Sequence, residues 1–271
     1  MSIFEAIVLG LVQGLTEFLP ISSSGHLRIV PALCGWEDPG SAFTAVIQLG
    51  TMAAVLVYFR TDLWNIARAW LREIRLPYRQ RSHDANLGWF IILGTIPIAI
   101  FGLIFNNQIE SGARSLYLIG TMLILFSFVM LVADRIGSRA RPIEHLNARD
   151  GLWIGLAQAL ALIPGVSRSG ATISAGLLRG FDRAAAARYS FLLSVPAVVL
   201  SGLFEARKIG GEGAVGLAPT LVATLLAFVS GYAAIAWLLR YLTTHNLTIF
   251  IAYRIPLGVL VLALTASGTI S

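Results

Sequence analysis

Charge is scarce in this sequence: 13% of its 271 residues are Asp, Glu, Lys or Arg, against about 25% in a soluble domain. That scarcity, with 56% hydrophobic residues and a mean hydropathy of +0.77, excludes a disordered chain, a nucleic-acid-binding arm and an ordinary soluble enzyme as first readings. Cysteine is nearly absent. The single Cys34 rules out an internal disulfide and a cysteine-based metal cage. Lysine is nearly absent too, so the net charge of +6 is carried by arginines gathered in short stretches between apolar runs. That pattern reads as orientation signals that also attract anionic lipid head groups, not as a nucleic-acid site. A cleavable signal peptide is not expected, because the opening MSIFEA carries an acid and no base.

What the chain has is hydrophobic runs. Six are long enough to cross a bilayer as helices: Ala42–Phe59, Leu87–Phe105, Leu116–Ala133, Tyr189–Phe204, Leu217–Leu239 and Thr248–Ala266. Gly94, Pro97, Pro196 and Pro256 inside them are tolerated in membrane helices. Two further apolar regions behave differently. Ile3–Leu19 is followed by Pro20, a serine-rich turn and the short run Leu27–Cys34. Gly151–Ile163 is followed by Pro164, a second serine-rich turn and the short run Ile173–Leu178. Each reads as a re-entrant hairpin, and irregular backbone at membrane depth survives only where it lines a protein or water-filled cavity.

The basic residues set an orientation. With Arg60–Asn86 placed in the cytoplasm, the inward loops hold 14 basic residues. The outward ones hold four: Arg28, Arg114, Arg207 and Lys208. Arg168 and Arg254 fall at membrane depth. Both termini then lie outside and the hairpins enter from opposite faces. The halves also repeat. GLVQGL at Gly10–Leu15 matches GLAQAL at Gly155–Leu160, 145 residues later, and each leads to a proline and a serine-rich turn. One hairpin plus three spans per half inverts the second copy. The expected architecture is all-α: a single membrane domain over 1–271, with a first repeat over 1–135 and an inverted second over 150–271.

Chemistry concentrates in the two turns. The first reads Gln13-Gly-Leu-Thr-Glu17-Phe-Leu-Pro-Ile-Ser22-Ser23-Ser24-Gly25-His26. Gln13 and Glu17 share one helix face, and a carboxylate at membrane depth needs a partner, water or a metal. The serines sit just before a half-helix whose N-terminus favours anions, and His26 lies in its first turn. The second turn, Pro164-Gly165-Val-Ser167-Arg168-Ser169-Gly170-Ala-Thr172, offers a fixed cation with a planar fork of donors suited to phosphate. Its hydroxyls and its glycines let a ligand approach the backbone. Together the turns make a phosphate pocket beside a carboxylate that can hold a divalent cation or act as a base. Plainer roles stand beside these. Glu17 alone could pair with Arg168, His26 could be a core histidine, and any one serine could merely cap a helix. Glu5 reads as a surface residue. Arg254 reads equally as paired with a buried acid, with carbonyls or with a lipid head group. The scattered Trp and Tyr residues read as an interfacial belt.

Gln13–His26 and Pro164–Thr172 together resemble the bacterial undecaprenyl-diphosphatase family, the membrane enzymes linked to bacitracin resistance. Phe43–Gly50, Tyr189–Leu193 and Ala252–Ile255 support the match, which follows the span order over essentially the whole chain. The resemblance implies two interlocked inverted repeats and hydrolysis of undecaprenyl diphosphate to the monophosphate in the bacterial cytoplasmic membrane. It also implies a pocket opening toward the periplasm and a divalent cation, Mg²⁺ or Ca²⁺. Membrane lipids and the prenyl diphosphate are then the partners, nucleic acid is not, and a homodimer is compatible. Carried over by position, Gln13 and Glu17 fall on the family's acidic pair and hold the metal. Ser23 and His26 fall on its serine and histidine. Ser167, Arg168, Ser169 and Thr172 fall on its phosphate-binding loop, Arg168 as a catalytic cation; Ser22, Ser24, Gly165 and Gly170, from the same two turns, read as further substrate contacts. The first acidic position is often Glu in the family and is Gln13 here, which removes one base and puts weight on Glu17. Ser23 is the foremost nucleophile, with Glu17 or His26 as base; attack by water or by His26 stays open. The competing class is a lipid-phosphate flippase or secondary transporter, because broken helices in inverted repeats also build carriers.

Overall fold

A helix rises about 1.5 Å per residue, so crossing about 30 Å of hydrocarbon takes about twenty residues. The computed structural model describes residues 1–105, 108, 115–205 and 216–270. Eleven α-helices run through them: α1 (Ile3–Phe18), α2 (Ser23–Cys34), α3 (Gly40–Tyr58), α4 (Arg60–Glu73), α5 (His83–Ile104), α6 (Leu116–Ile136), α7 (Ala148–Ala159), α8 (Arg168–Leu178), α9 (Arg183–Glu205), α10 (Leu217–Tyr241) and α11 (Thr248–Ala266). No strand occurs among the described residues. Five helices (α5, α6, α9, α10 and α11) are long and apolar enough to span, and α3 with α4 makes a sixth if the bent pair is counted as one. Their outward faces carry Leu103, Phe128, Leu225 and Val259, all exposed. The protein is a multi-pass membrane protein. Helices α1, α2, α7 and α8 are shorter, 11 to 16 residues, and fall in the two hairpin regions. Arg114, Arg207 and Lys208, assigned to outward loops, lie outside the described residues.

Two expectations need correction. Arg60–Asn86, read as a loop from its arginines, is helical through Glu73, bent 73° from α3. Leu63, Ile66 and Trp70 recur at helical spacing, and this stripe docks on α5, with Trp70 beside Gly88. The arginine-rich opposite face hid the helix from a hydropathy reading. The second half-helix of each hairpin also starts earlier than its apolar run. Helix α2 begins at Ser23 and α8 at Arg168, because polar residues in a first turn lower hydropathy while satisfying the helix end.

The first helix of each hairpin is started by the same device. Ser2 and Glu5 form a capping box at α1, and Asn147 and Asp150 form one at α7. These positions are again 145 apart. Glu5 is thereby a cap. Helix α1 lies along α10, and α7 along α5, each at backbone contact. A Cβ on Gly10 would sit 2.5 Å from the Ala223 carbonyl oxygen, and one on Gly155 would sit 2.3 Å from that of Gly94. Each hairpin therefore leans on a span from the other half of the chain. Helices α6 and α11 close on one another through Gly120 and Gly258.

At one end of the molecule arginines act as fasteners. Buried Asp150 accepts from Arg141 at 2.6 Å and from Arg179 at 2.7 Å. Asp134 holds Arg183, and Asp62 holds Arg188. Burial opposes ionisation of Asp150, but the hydrogen bonds from Arg141 and then Arg179 outweigh it and hold the carboxyl below its usual range.

Candidate active site

The two turns have the same local construction. Ser22 has φ 76° and Ser167 φ 77°, a left-handed backbone that costs a non-glycine residue energy. Each serine repays it as an N-cap: Ser22 Oγ accepts from the Gly25 N–H, and Ser167 Oγ from the Gly170 N–H. Each cap also faces the serine two residues on, Ser24 at 3.4 Å and Ser169 at 3.1 Å. The N–H groups of Ser23 and Ser24, and those of Arg168 and Ser169, find no protein acceptor among the described residues. Two helix N-termini thus present free donors and positive dipole ends.

They meet at Glu17. Its Oε2 accepts from Ser23 Oγ at 2.6 Å and from Gln13 Nε2 at 3.1 Å; its Oε1 accepts from Arg168 Nη2 at 2.6 Å. Ser23 and Arg168 are the first residues of α2 and α8, so one carboxylate joins both hairpins. Gln13 also reaches Thr51 on α3, and Arg168 Nη1 donates to the Ser194 carbonyl at 3.3 Å. Ser169 ties the second turn to the first through the Leu19 carbonyl at 3.1 Å. The ion pair is nearly buried, with 14% and 9% of the two side chains exposed. In this structure Glu17 does pair with Arg168, the plain alternative, and it engages Ser23 as well.

His26 stands apart from that group. Its Nδ1 is 2.7 Å from the Ser22 carbonyl and its Nε2 2.7 Å from the Tyr253 hydroxyl. A carbonyl only accepts, so Nδ1 carries a proton. The imidazole contacts neither Ser23 nor Glu17.

Several residues do other work than a ligand-facing role. Thr172 is fully buried and bonds the Arg168 carbonyl and Ser190 Oγ, joining α8 to α9. Gly165, at φ +93°, lets the turn lie against α6, where a Cβ would meet the Ile119 carbonyl oxygen at 2.6 Å. Gly170 supplies the N–H that Ser167 caps. Ser24 is exposed beside the open N–H groups.

Arg254, ambiguous in sequence, is fully buried among neutral acceptors. It donates to Ser127 Oγ and to the carbonyls of Pro20, Met122 and Gly165. Pro20 and Gly165 occupy matching positions in the two turns, so one guanidinium braces both. Among the described residues no acid pairs with it. With Arg168 neutralised by Glu17, Arg254 leaves the site one positive charge in excess, which favours an anion. Thr51 and Ser194 are each one polar group on an apolar span, with nothing local to mark them, and Tyr253 reads from sequence only as an interfacial tyrosine within Ala252–Ile255.

A metal would find no cage here. Among the described residues no group of three or more His, Cys, Asp or Glu converges. The donor set at Glu17 is one carboxylate, the Gln13 amide and hydroxyls. That suits Mg²⁺ shared with phosphate oxygens, and not an ion held by protein alone.

A family model described as Bacitracin resistance protein BacA matches residues 6–260. An undecaprenyl-diphosphatase of Nocardioides sp. is 56% identical over 268 residues, covering 98% of this chain and 98% of its own. That of Thermobifida fusca is 54% identical over 271 residues, covering 100% and 93%. That of Mycolicibacterium smegmatis is 52% identical over 275 residues, covering 100% and 99%.

Proposed function

The chain belongs to the BacA family of bacitracin resistance proteins, and from that membership and the geometry at Glu17 we infer that it is an undecaprenyl-diphosphatase. It hydrolyses undecaprenyl diphosphate to undecaprenyl phosphate and inorganic phosphate, returning the lipid carrier to cell-wall synthesis. One observation carries the assignment of roles: Ser23 donates to Glu17 at 2.6 Å while Arg168 holds the same carboxylate. A nucleophile and a fixed cation are thereby each one hydrogen bond from the same base.

The polyprenyl tail lies among the lipid-facing helices and the diphosphate enters between the two turns. Arg168 and the free N–H groups of Ser23, Ser24, Arg168 and Ser169 take the non-bridging oxygens and stabilise charge as it spreads in the transition state. Ser23 Oγ attacks the terminal phosphorus. Its proton passes to Glu17 and on to the leaving oxygen as the anhydride P–O bond breaks, so undecaprenyl phosphate departs protonated and Glu17 is a carboxylate again. Water then cleaves the phosphoserine, with Glu17 again as base. Glu17 fits the base role better than His26, whose Nε2 is occupied by Tyr253. Glu17, with the Gln13 amide turned to offer its oxygen, would hold a divalent cation, which would supply neutralisation of charge on the diphosphate.

The halves 1–135 and 150–271 are read as inverted copies. The common 145-residue offset of their capping boxes, N-cap serines and braced carbonyls supports this. With the arginine-rich side inward, the protein sits in the bacterial inner membrane with its cavity opening to the periplasm.

The test is phosphate release from undecaprenyl diphosphate by purified protein in detergent, with and without EDTA. Detergent removes any gradient, so release separates hydrolysis from transport. Rapid quenching should trap phosphate on Ser23, and Ser23→Ala should fall by at least about a thousandfold. Activity of Ser23→Ala within tenfold of wild type would refute the nucleophile.

A further inference from the structure

Tyr253 lies in the first third of α11, where a tyrosine ordinarily reads as an interfacial belt residue. Its hydroxyl points inward instead, 2.7 Å from Nε2 of His26. The two rings stack at 13°, with centroids 5.6 Å apart. The next residue, Arg254, is the fully buried brace of both turns, so the backbone presenting Tyr253 is held in register with the hairpins. His26 is buried and Tyr253 is 45% exposed. The phenol therefore stands between the imidazole and the outside.

The partners fix the proton positions. The Ser22 carbonyl takes the Nδ1 proton. In the neutral ring Nε2 is then a lone pair, and the phenol is its donor. The imidazole cannot tumble between tautomers without losing one of two bonds, each 2.7 Å long.

We propose that Tyr253 is a positioning residue of this site: its hydroxyl takes Nε2 of His26 and so holds the ring whose Nδ1–H grips the carbonyl of Ser22, the residue that presents Ser23. This rests on the reading of Ser23, Glu17 and His26 as one active site. It adds a residue from the last span, 227 positions from the histidine, that acts only through His26.

Tyr253→Phe deletes the hydroxyl and keeps the ring stack. Two measurements on the purified full-length protein in detergent test the idea. The first is ¹⁵N NMR of the histidine-labelled protein. Among the four histidines, the His26 resonances are those lost in His26→Gln. Wild type should show one protonated Nδ1 and one hydrogen-bonded, unprotonated Nε2. Tyr253→Phe should move the Nε2 resonance while Nδ1 stays protonated on the Ser22 carbonyl. The second is a double-mutant cycle on phosphate release. Tyr253→Phe should lower kcat about tenfold with KM within about twofold. In a His26→Gln background the same change should alter kcat less than about twofold, because its target is gone. A Tyr253→Phe protein with wild-type kcat and an unmoved Nε2 resonance overturns the proposal. So does an equal loss in both backgrounds, which marks a merely structural role. Inactive His26→Gln beside wild-type Tyr253→Phe overturns this inference alone; His26→Gln at the wild-type rate overturns the reading of His26 in the site with it.

Discussion

Glu17→Gln separates two roles that one carboxylate plays. Glutamine matches glutamate in shape. Its carbonyl can still accept from Arg168 where Oε1 does, and its NH₂ can sit against Ser23 where Oε2 does once the Gln13 amide turns its oxygen toward it. The fold should hold, with a melting temperature in detergent within a few degrees of wild type. The amide cannot take the Ser23 proton. Loss of a general base is worth about 10²–10⁴ in kcat, or about 2.7–5.4 kcal/mol of barrier. Binding should move the other way. Arg168 loses its counter-ion and becomes free for phosphate, while Arg254 has no acid partner among the described residues. A charge-assisted hydrogen bond contributes about 1.5–3 kcal/mol, so the diphosphate should bind about ten- to a hundredfold more tightly. The assay pairs phosphate-release kinetics with equilibrium binding of a non-hydrolysable prenyl diphosphate. Binding is measured in EDTA so that loss of a shared cation does not enter. A variant with kcat within tenfold of wild type would show that Glu17 is not the base. A variant that binds more weakly in EDTA would show that Arg168 is not held back by Glu17.

Two further outcomes follow from the packing. Gly10→Ala and Gly155→Ala each force a Cβ into backbone at 2.5 and 2.3 Å, and should each cost about 1–3 kcal/mol, read as a lower melting temperature; a loss in only one would refute the equivalence of the α1–α10 and α7–α5 contacts. Asp150 lies outside the spanning helices with its pKa lowered. Its contribution is therefore complete above its unfolded value near about 3.9 and disappears as pH falls through the lower folded value. Asp150→Asn should be less stable at pH 7 by about 1–3 kcal/mol with a flatter acid limb in thermal melts, and an unchanged acid limb would refute the Arg141 and Arg179 bonds as its cause.

The sequence by itself determined the membrane class, the spans and the chemistry-bearing turns. Those rest on local quantities: twenty apolar residues in a row, a carboxylate and an arginine where charge is costly, serines and glycines that break a helix. A 145-residue offset was legible for the same reason, and the family followed from Gln13–His26 and Pro164–Thr172. Local pattern failed where polarity and helicity disagree, as at α4, whose arginines masked its buried stripe, and at the starts of α2 and α8. Only the tertiary structure decided partners. Glu17 to Arg168, Arg254 to Pro20 and Gly165, and His26 to Tyr253 join residues 89 to 234 positions apart. A hydrogen bond needs its atoms within about 3 Å, and which atoms come that close depends on how helices from opposite halves dock. Thr172 illustrates the point: in sequence it is one more hydroxyl of a phosphate turn, and docking of α8 against α9 turns it to Ser190.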